Sequence, residues 1–207
     1  ENIPNELDLA REYGLSPGTV RKALDWMEEA HLIVRQQGRG TFVASSSSDE
    51  INSRFDRFRA ETGDVLSAEF QVLERISAEA TNEEAHHLGL TRSSRVHRVT
   101  RLRMARGKPL MVERLTVALE MFPSADTVET PYDLADLSQA DGILLGYGSE
   151  SLTLVPAQTE VAAPLGIATG TRVLLLERLI STIENQPAEW RQCWCNLEGY
   201  RYQVELN

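Results

Sequence analysis

Cysteine is nearly absent from this chain, and basic residues are scarce. Two cysteines, Cys193 and Cys195, are too few for a disulfide framework, which excludes the class of small disulfide-stapled secreted proteins. No apolar run approaches the roughly 18 residues that a membrane-spanning helix needs, and the first residues carry neither a basic leader nor an apolar signal core. The sequence therefore predicts a cytoplasmic protein with no membrane partner.

Acidic residues outnumber basic ones by 31 to 21, and the net charge of -10 argues against a surface that binds a polyanion throughout. The first 44 residues hold five Lys or Arg against seven acids, and the rest hold 16 against 24. A nucleic-acid contact is therefore expected in the first region, if anywhere. The 207 residues, 42% of them hydrophobic, predict one or two globular domains and exclude global disorder.

A small and polar run, Ser45-Ser46-Ser47-Ser48-Asp49-Glu50, interrupts the sequence. Such a run cannot bury enough apolar surface to fold by itself. We therefore predict a first domain of residues 1–44, a linker of residues 45–50 and a second domain of residues 51–207.

The first domain begins with the pattern of two short helices joined by a tight turn. Asn5 can cap a helix that ends before Gly14, and Ser16 can cap a second helix that starts at Pro17. The second helix has an apolar stripe at the helical spacing, formed by Val20, Ala23, Leu24 and Met27. This order of elements predicts a helix-turn-helix.

The polar face of the second helix has residue types that read DNA. Arg21 suits a bidentate contact to guanine, which discriminates between bases by about 1–3 kcal/mol. Lys22 suits a phosphate contact, and the helix N-terminus is itself a site for a phosphate oxygen. The candidate DNA contacts on this helix are Ser16, Gly18, Thr19, Arg21 and Lys22.

A hairpin with a basic, glycine-rich tip is predicted after the second helix, from strand-like runs at 32–35 and 41–43. Its residues could follow the DNA backbone or enter the adjacent minor groove. The candidate contacts here are Arg35, Gln37, Gly38, Arg39 and Gly40. The alternative for both elements is a solvated charged face, which is the usual meaning of an Arg-Lys pair.

The second domain contains a repeat offset by 77 residues. Leu88-Gly89-Leu90, Arg95-Val96 and Arg101-Leu102 recur as Leu165-Gly166-Ile167, Arg172-Val173 and Arg178-Leu179. Each copy has the pattern of a helix, a tight turn, a long strand, a hairpin turn and a strand. Two copies predict an α+β fold with a mainly antiparallel sheet and a pseudo-twofold relation. Before the repeat, Ile51, Phe55 and Phe58 predict a short helix that ends near Gly63.

Two arginines of the first repeat can form an anion clamp. Arg101 and Arg103 stand two apart on a predicted strand and therefore project from the same face. Two guanidinium groups on one face suit a phosphate or carboxylate, and Glu113 could orient them or accept a hydrogen bond from a ligand hydroxyl. The alternative is a surface ladder of Arg and Glu across neighbouring strands.

The sequence predicts no metal site, cofactor or catalytic residue. Cys193 and Cys195 fall on one strand face, but two thiols without a nearby histidine make a poor zinc site, and buried cysteines are the better interpretation. His86 and His87 are adjacent on a predicted helix, where they point about 100° apart and cannot share a metal. No Ser-His-Asp spacing, phosphate loop or dinucleotide fingerprint occurs.

The first domain resembles the winged-helix domain of GntR-family bacterial transcription regulators. The resemblance rests on Ile3-Pro4-Asn5-Glu6-Leu7-Asp8-Leu9-Ala10, on Thr19-Val20-Arg21-Lys22-Ala23-Leu24 and on Gln37-Gly38-Arg39-Gly40-Thr41-Phe42-Val43. Family members have a further helix before the position of Ile3, so the winged helix is expected to lack its N-terminal helix here. Leu7 stands where the family usually has an arginine that touches DNA, and Pro17-Gly18 where it has a polar or basic pair. The resemblance therefore implies a DNA-binding winged helix-turn-helix with an operator that differs from the common family consensus.

The second domain resembles the UTRA effector-binding domain of the HutC subfamily, which shares its fold with chorismate lyase. The resemblance rests on Arg98-Val99-Thr100-Arg101-Leu102-Arg103, Gly107-Lys108-Pro109-Leu110-Met111-Val112-Glu113-Arg114, Val173-Leu174-Leu175-Leu176-Glu177-Arg178 and Pro187-Ala188-Glu189-Trp190. It implies ligand contacts by Arg101, Arg103, Glu113, Thr130, Tyr132 and Glu189. Cys195 stands where relatives often place a pocket tyrosine, which implies a different ligand or a reshaped pocket.

These observations predict a ligand-responsive transcription regulator. We expect a repressor that binds double-stranded operator DNA as a homodimer, dimerises through the second domain and is released by a small anionic metabolite. The alternative is a lyase-like enzyme, because the second domain's fold also hosts a lyase and its charged pocket could do acid–base chemistry on an anionic metabolite. The attached DNA-binding domain favours the regulator.

Overall fold

The computed structural model describes residues 2–30, 32–43, 56–63, 69–127 and 133–204. The chain divides into two compact units, Glu1–Glu50 and Ile51–Asn207. The predicted linker and the positions of Ile51 and Phe55 lie outside the described residues. Among the helices that the structure describes, none is long and apolar enough to cross a membrane.

The two predicted helices of the first unit are confirmed. Helix α1 spans Glu6–Tyr13 and helix α2 spans Pro17–Glu29. The Asn5 side chain accepts hydrogen bonds from two N–H groups of the first turn of α1, both at 3.0 Å. Gly14 ends α1 in the left-handed region, with φ 64°, which costs glycine nothing and turns the chain into α2.

A three-stranded antiparallel sheet completes the first unit in the order β1-β3-β2 and confirms the predicted hairpin. The strands are β1 (Asn2–Ile3), β2 (Ile33–Gln36) and β3 (Gly40–Val43). The buried core consists of Ala10, Val20, Leu24 and Ile33. Ala23 was expected in the apolar stripe but is exposed, because the buried face of α2 centres on Val20 and Leu24.

The second unit is built on a six-stranded, fully antiparallel sheet, which confirms the predicted α+β class. Its strand order is β5-β6-β7-β10-β9-β8. The strands are β5 (Glu69–Glu79), β6 (Arg95–Ala105), β7 (Lys108–Ala118), β8 (Leu145–Pro156), β9 (Arg172–Thr182) and β10 (Pro187–Cys195).

The sequence repeat corresponds to two half-sheets. Helix α3 (Asn82–Leu88) precedes β6, and helix α5 (Thr159–Leu165) precedes β9. The halves meet at β7 and β10, so the strand order reads the same from either edge, as a pseudo-twofold relation requires. Each half also begins with a strand, β5 or β8, that the repeat in the sequence did not reveal.

The two faces of this sheet are covered differently. Helices α3 and α5 pack on one face, against Val96 and Leu102 respectively. The opposite face packs on helix α4 (Leu134–Ala140) and the 3-10 turn Pro123–Asp126 at one end, and on a two-stranded ribbon at the other. The ribbon pairs β4 (Phe58–Ala60) with β11 (Tyr200–Tyr202).

The prediction of a helix that ends near Gly63 is wrong for residues 56–63, which the structure describes. Phe58 lies in strand β4, where Phe58 and Ala60 are buried in alternation, the period of a strand rather than a helix. The Phe58 ring packs edge to face on Tyr202 of β11, with ring centres 5.6 Å apart. A cross-strand partner more than 140 residues away in the sequence therefore decides this element.

Candidate DNA-binding and effector sites

The exposed start of α2 presents two hydroxyl groups. Ser16 Oγ accepts a hydrogen bond from the Thr19 N–H at 3.1 Å and lies 2.8 Å from Thr19 Oγ1. Since the two hydroxyls share one hydrogen bond, one O–H remains to donate to a phosphate oxygen. Gly18 is exposed beside them and has no side chain to hold a phosphate away from the helix N-terminus.

Arg21 projects from α2 and is held by Glu6 of α1. Its Nε and Nη2 donate to Glu6 Oε2 at 3.0 and 2.9 Å. An exposed ion pair of this kind is weak because water screens it, so a guanine edge can compete for the guanidinium group. Sequence reasoning missed Glu6 because 15 residues separate it from Arg21.

The hairpin tip is a turn at residues 37–39, with Gly38 at φ 75° and Gly40 at φ 115°. Gln37 and Arg39 are exposed on this turn, and Lys22 is exposed on α2. Within the described residues neither Arg39 nor Lys22 has an ion-pair partner. These two cations are therefore available to phosphates.

Arg35 differs from the other basic residues of the hairpin. It forms ion pairs with Asp25 at 2.6 Å and with Glu28 at 2.7 Å, both on α2. The hairpin folds back on α2, and the guanidinium group of Arg35 is engaged by two carboxylates before any DNA is present. A role of Arg35 in fixing the hairpin to α2 follows from these contacts.

In the second unit, Arg101 and Glu113 are direct cross-strand neighbours on β6 and β7. Both are buried, with 5% and 3% of their surface exposed, and they form an ion pair between Arg101 Nε and Glu113 Oε2. The Arg101 guanidinium also lies 3.9 Å from the ring centre of Phe70, a cation–π contact from β5. Their burial excludes the alternative of a surface ladder.

Arg103 lies on the same face, two residues further along β6. Its Nη2 donates to Asp56 Oδ2 at 2.5 Å. Its Nε is buried and, in the part of the chain that the structure describes, has no hydrogen-bond partner. An unpaired buried donor costs about 1–3 kcal/mol, so an acceptor on a ligand would gain a strong site here.

Glu189 is completely buried on β10 and accepts from Arg191 Nε and Nη2 at 2.8 and 3.1 Å. Arg191 Nη1 also lies 3.8 Å from Glu113 Oε1. Glu113 therefore sits between two guanidinium groups, those of Arg101 and Arg191. The predicted residues Arg101, Arg103, Glu113 and Glu189 thus share one face of the sheet.

Two further charged side chains, Arg178 on β9 and Glu150 on β8, extend this face, and Tyr202 of the ribbon contacts Glu150. Arg178 pairs with Glu150, its cross-strand neighbour, and the Tyr202 hydroxyl of the ribbon donates to Glu150. Arg178 matches Arg101 in the repeat, 77 residues earlier. This match is the signal that could have identified Arg178, whereas Glu150 and Arg191 depend on strand register.

The neighbouring arginines of this face determine the protonation state of Glu113. Burial by itself raises the pKa of Glu113, but Arg101, Arg191 and Arg103 more than offset it and hold the pKa at about 2. Burial and the neighbouring Glu113 raise the pKa of the Cys193 thiol to about 12. At neutral pH the face therefore combines full charges with a neutral thiol.

Comparison with known proteins decides what the two units are. Residues 65–201 match the UTRA domain, and residues 1–43 match the family of bacterial regulatory proteins called gntR. The chain belongs to the GntR family. Its UTRA domain fits the HutC subfamily of that family.

Curated relatives of this GntR protein are transcription regulators. The chain is 28% identical to the HTH-type transcriptional repressor NagR of Bacillus subtilis (strain 168), over 85% of this chain and 73% of NagR. It is 30% identical to the histidine utilization repressor of Pseudomonas putida, over 85% of this chain and 71% of that protein. Among solved structures, PhnF from Mycobacterium smegmatis has the same fold, with a TM-score of 0.64 and 18% identity over all of this chain and 92% of PhnF.

The GntR assignment settles the class of protein. The chain is a ligand-responsive DNA-binding transcription regulator, and the lyase-like alternative is wrong because the family and the named relatives are regulators. The predicted ligand contacts Thr130 and Tyr132 lie outside the described residues and stay predictions. Cys195 is completely buried beside Cys193, consistent with cysteines that belong to the core of the UTRA domain.

Proposed function

We propose that this protein is a repressor that binds a pseudo-palindromic operator as a homodimer and leaves it when a small anionic metabolite binds the UTRA domain. The two relatives described above are both named repressors. The observation that carries the ligand part is the buried Arg103 Nε, which lacks a hydrogen-bond acceptor within the described residues. The proposed ligand contacts are Arg101, Arg103, Glu113, Thr130, Tyr132 and Glu189.

A ligand anion would compete with Asp56 for Arg103. Asp56 Oδ2 occupies Nη2 of Arg103, and Asp56 Oδ1 accepts from the Phe58 N–H at 3.0 Å. A phosphate or carboxylate that takes both Nε and Nη2 satisfies the orphan donor and displaces Asp56. Arg103 then gains a bidentate partner in place of a single contact.

Displacement of Asp56 supplies the coupling to DNA binding. Asp56 stands six residues after Glu50, where the first unit ends. In this proposal, the contact with Arg103 anchors the start of the second unit, and loss of that contact is passed along the chain to the DNA-binding unit. Because binding energies are linked, a ligand that weakens operator binding must itself be weakened equally by the operator.

In the DNA complex, α2 would lie in the major groove with Arg21 on a guanine. Ser16, Gly18, Thr19 and Lys22 would contact phosphates at its N-terminal half. Gln37, Gly38, Arg39 and Gly40 would follow the backbone or enter the minor groove beside it, and Arg35 would support the hairpin. Two such units would read half-sites about one helical turn apart.

The UTRA domain supplies the proposed dimer contact through the edge strand β8. A long edge strand offers unpaired backbone groups to a second copy of the chain. Leu152 and Leu154 on this strand are exposed by 45% and 60%. Gel filtration with light scattering tests this step, and a monomer at micromolar concentration contradicts it.

The decisive experiment joins the operator to the ligand. A random-oligonucleotide selection at low salt should yield a two-fold symmetric operator. Native mass spectrometry of freshly purified protein should reveal a bound metabolite. Addition of that metabolite should lower the affinity for the operator, as measured by fluorescence anisotropy. Failure to enrich any sequence would refute the function.

The variant Asp56→Asn tests the coupling separately. It should bind the metabolite at least as tightly as the original chain, because the competing carboxylate is gone, while its operator affinity should respond less. The matched control Glu160→Gln, at an exposed position on α5, should behave as the original chain does. A full operator response in Asp56→Asn would show that Asp56 plays no part.

A further inference from the structure

A mixed histidine and carboxylate cluster lies on the helix-covered face of the UTRA sheet. Glu83 and His87 stand one turn apart on α3, and Glu177 lies on β9. One potential ligand atom from each of the three lies within 4.8 Å of the others. Glu177 is adjacent to Arg178 on its strand and therefore points to the opposite face from the Arg and Glu network.

Two of these side chains are held in place by neighbours that are not ligands. The His87 ring stacks on Trp190, with ring centres 4.4 Å apart and planes within 9°. Gln192 Nε2 donates to Glu177 Oε1 at 3.3 Å. Such contacts orient metal ligands in proteins and limit the rearrangement that binding requires.

The two carboxylates of the cluster differ from those carboxylates of the UTRA domain that pair with an arginine. Glu84, Glu113, Glu150 and Glu189 each pair with an arginine. For Glu83 and Glu177 no ion pair occurs among the described residues. Two neighbouring carboxylates and an imidazole, without an ion-paired cation in the described part of the chain, leave negative charge that a metal ion can neutralise.

We infer that Glu83, His87 and Glu177 bind one divalent first-row transition-metal ion, such as Zn²⁺, Co²⁺ or Mn²⁺. One imidazole nitrogen and two carboxylate oxygens suit these ions, whereas Mg²⁺ and Ca²⁺ prefer oxygen ligands alone. Three protein ligands leave the remaining positions to water. The ion joins α3 to β9, two elements that belong to different halves of the sequence repeat, and so stabilises the UTRA domain.

The bound ion can be detected through Trp190. In the full-length chain, Co²⁺ should quench the fluorescence of Trp190, because this ring contacts the His87 ligand. Quenching should saturate at one ion per chain and raise the melting temperature, and millimolar Mg²⁺ should not reproduce it. The variant Trp190→Phe should lose the quenching but keep one-to-one binding of Zn²⁺ in calorimetry.

Two pairs of variants locate the ion. His87→Phe keeps an aromatic ring on Trp190 but removes the ligand atom, and it should weaken Zn²⁺ binding by about tenfold or more. His86→Phe is its matched control, because His86 is the exposed neighbour that is not part of the cluster. Glu177→Gln should weaken binding similarly, whereas Glu198→Gln at an exposed position should not.

Each outcome decides the inference. Loss of affinity in His87→Phe and Glu177→Gln, with retention in His86→Phe, supports the site. Unchanged Zn²⁺ affinity in His87→Phe, or no saturable binding of Zn²⁺ or Co²⁺ up to millimolar concentration, overturns it. Since the readouts are metal affinity and thermal stability, they are independent of operator and metabolite binding.

Discussion

The buried pair of Arg101 and Glu113 allows a double-mutant cycle that separates folding from ligand binding. Arg101→Met leaves the buried Glu113 carboxylate with the more distant Arg191, 3.8 Å away, as its ion-pair partner among the described residues. Glu113→Leu leaves the Arg101 guanidinium without the carboxylate opposite. Each single change should lower the free energy of unfolding by about 3–5 kcal/mol, because each removes one partner of a buried ion pair.

The size of this effect agrees with the electrostatics of the site. The pKa of Glu113 falls from an ordinary value of 4.5 to about 2, which corresponds to about 3 kcal/mol of stability at neutral pH. For a unit of about 150 residues, that loss lowers the melting temperature by about 10 °C. The double variant Arg101→Met with Glu113→Leu replaces the pair by packed apolar groups, so its stability should lie within about 1–2 kcal/mol of the original.

The assay is urea unfolding of the full-length chain in a Trp26→Phe background, followed by tryptophan fluorescence, since Trp26 lies in the first unit whereas Trp190 and Trp194 lie in the second. Thermal shifts with inorganic phosphate, a probe of the arginine clamp, supply the functional readout. The double variant should fold but lose the phosphate response. The reasoning fails if the two single effects simply add, or if the double variant still responds to phosphate.

Three further predictions address DNA binding, acid stability and the first unit. Arg21→Ala should weaken specific operator binding by about 1–3 kcal/mol and relax the preference at one base pair, whereas Arg11→Ala, at an exposed position, is the control. Fluorescence anisotropy with single-base operator variants measures this, and an unchanged binding profile refutes the guanine contact. Because the pKa of Glu113 is lower in the folded state, the contribution of Glu113 to the free energy of unfolding should be complete above about pH 4.5 and lost towards pH 2. Urea unfolding over that pH range measures this contribution, and Glu113→Gln should lack this part of the acid sensitivity. Leu24→Ala, in the buried core of the first unit, should lower the free energy of unfolding of that unit by about 2–5 kcal/mol. An unchanged melting temperature of the first unit would contradict the assignment of Leu24 to the core.

Much of the fold could be predicted from the sequence because its signals are local. The caps at Asn5 and Ser16 and the left-handed Gly14 each act over three or four residues, and the structure has them as predicted. The repeat located both helix–hairpin units of the UTRA domain for the same reason. Where a strand had no local signal, as at Phe58, prediction failed, because the pairing partner lies in β11.

The face of the sheet that carries Arg101, Arg103 and Glu113 was predictable only in part. Arg101 and Arg103 share a face because strand residues two apart always do, and Glu113 follows on the next strand of one hairpin. Asp56, Arg178 and Arg191 reach the same face through pairings and packing between distant segments. Which residues of those segments meet depends on register, and register depends on which side chains the whole sheet can bury.

The amino-acid sequence by itself determined the elements with short-range causes: the capped helices, the hairpins, the repeat and the pair of arginines on one strand face. The tertiary structure decided which charges meet. Arg21 is held by Glu6, Arg35 by Asp25 and Glu28, and Glu177 approaches His87 from another half of the sheet. The physical reason is that capping and side-chain alternation act along the chain, whereas ion pairs and ligand sites form across space, between residues that only the packed sheet brings together.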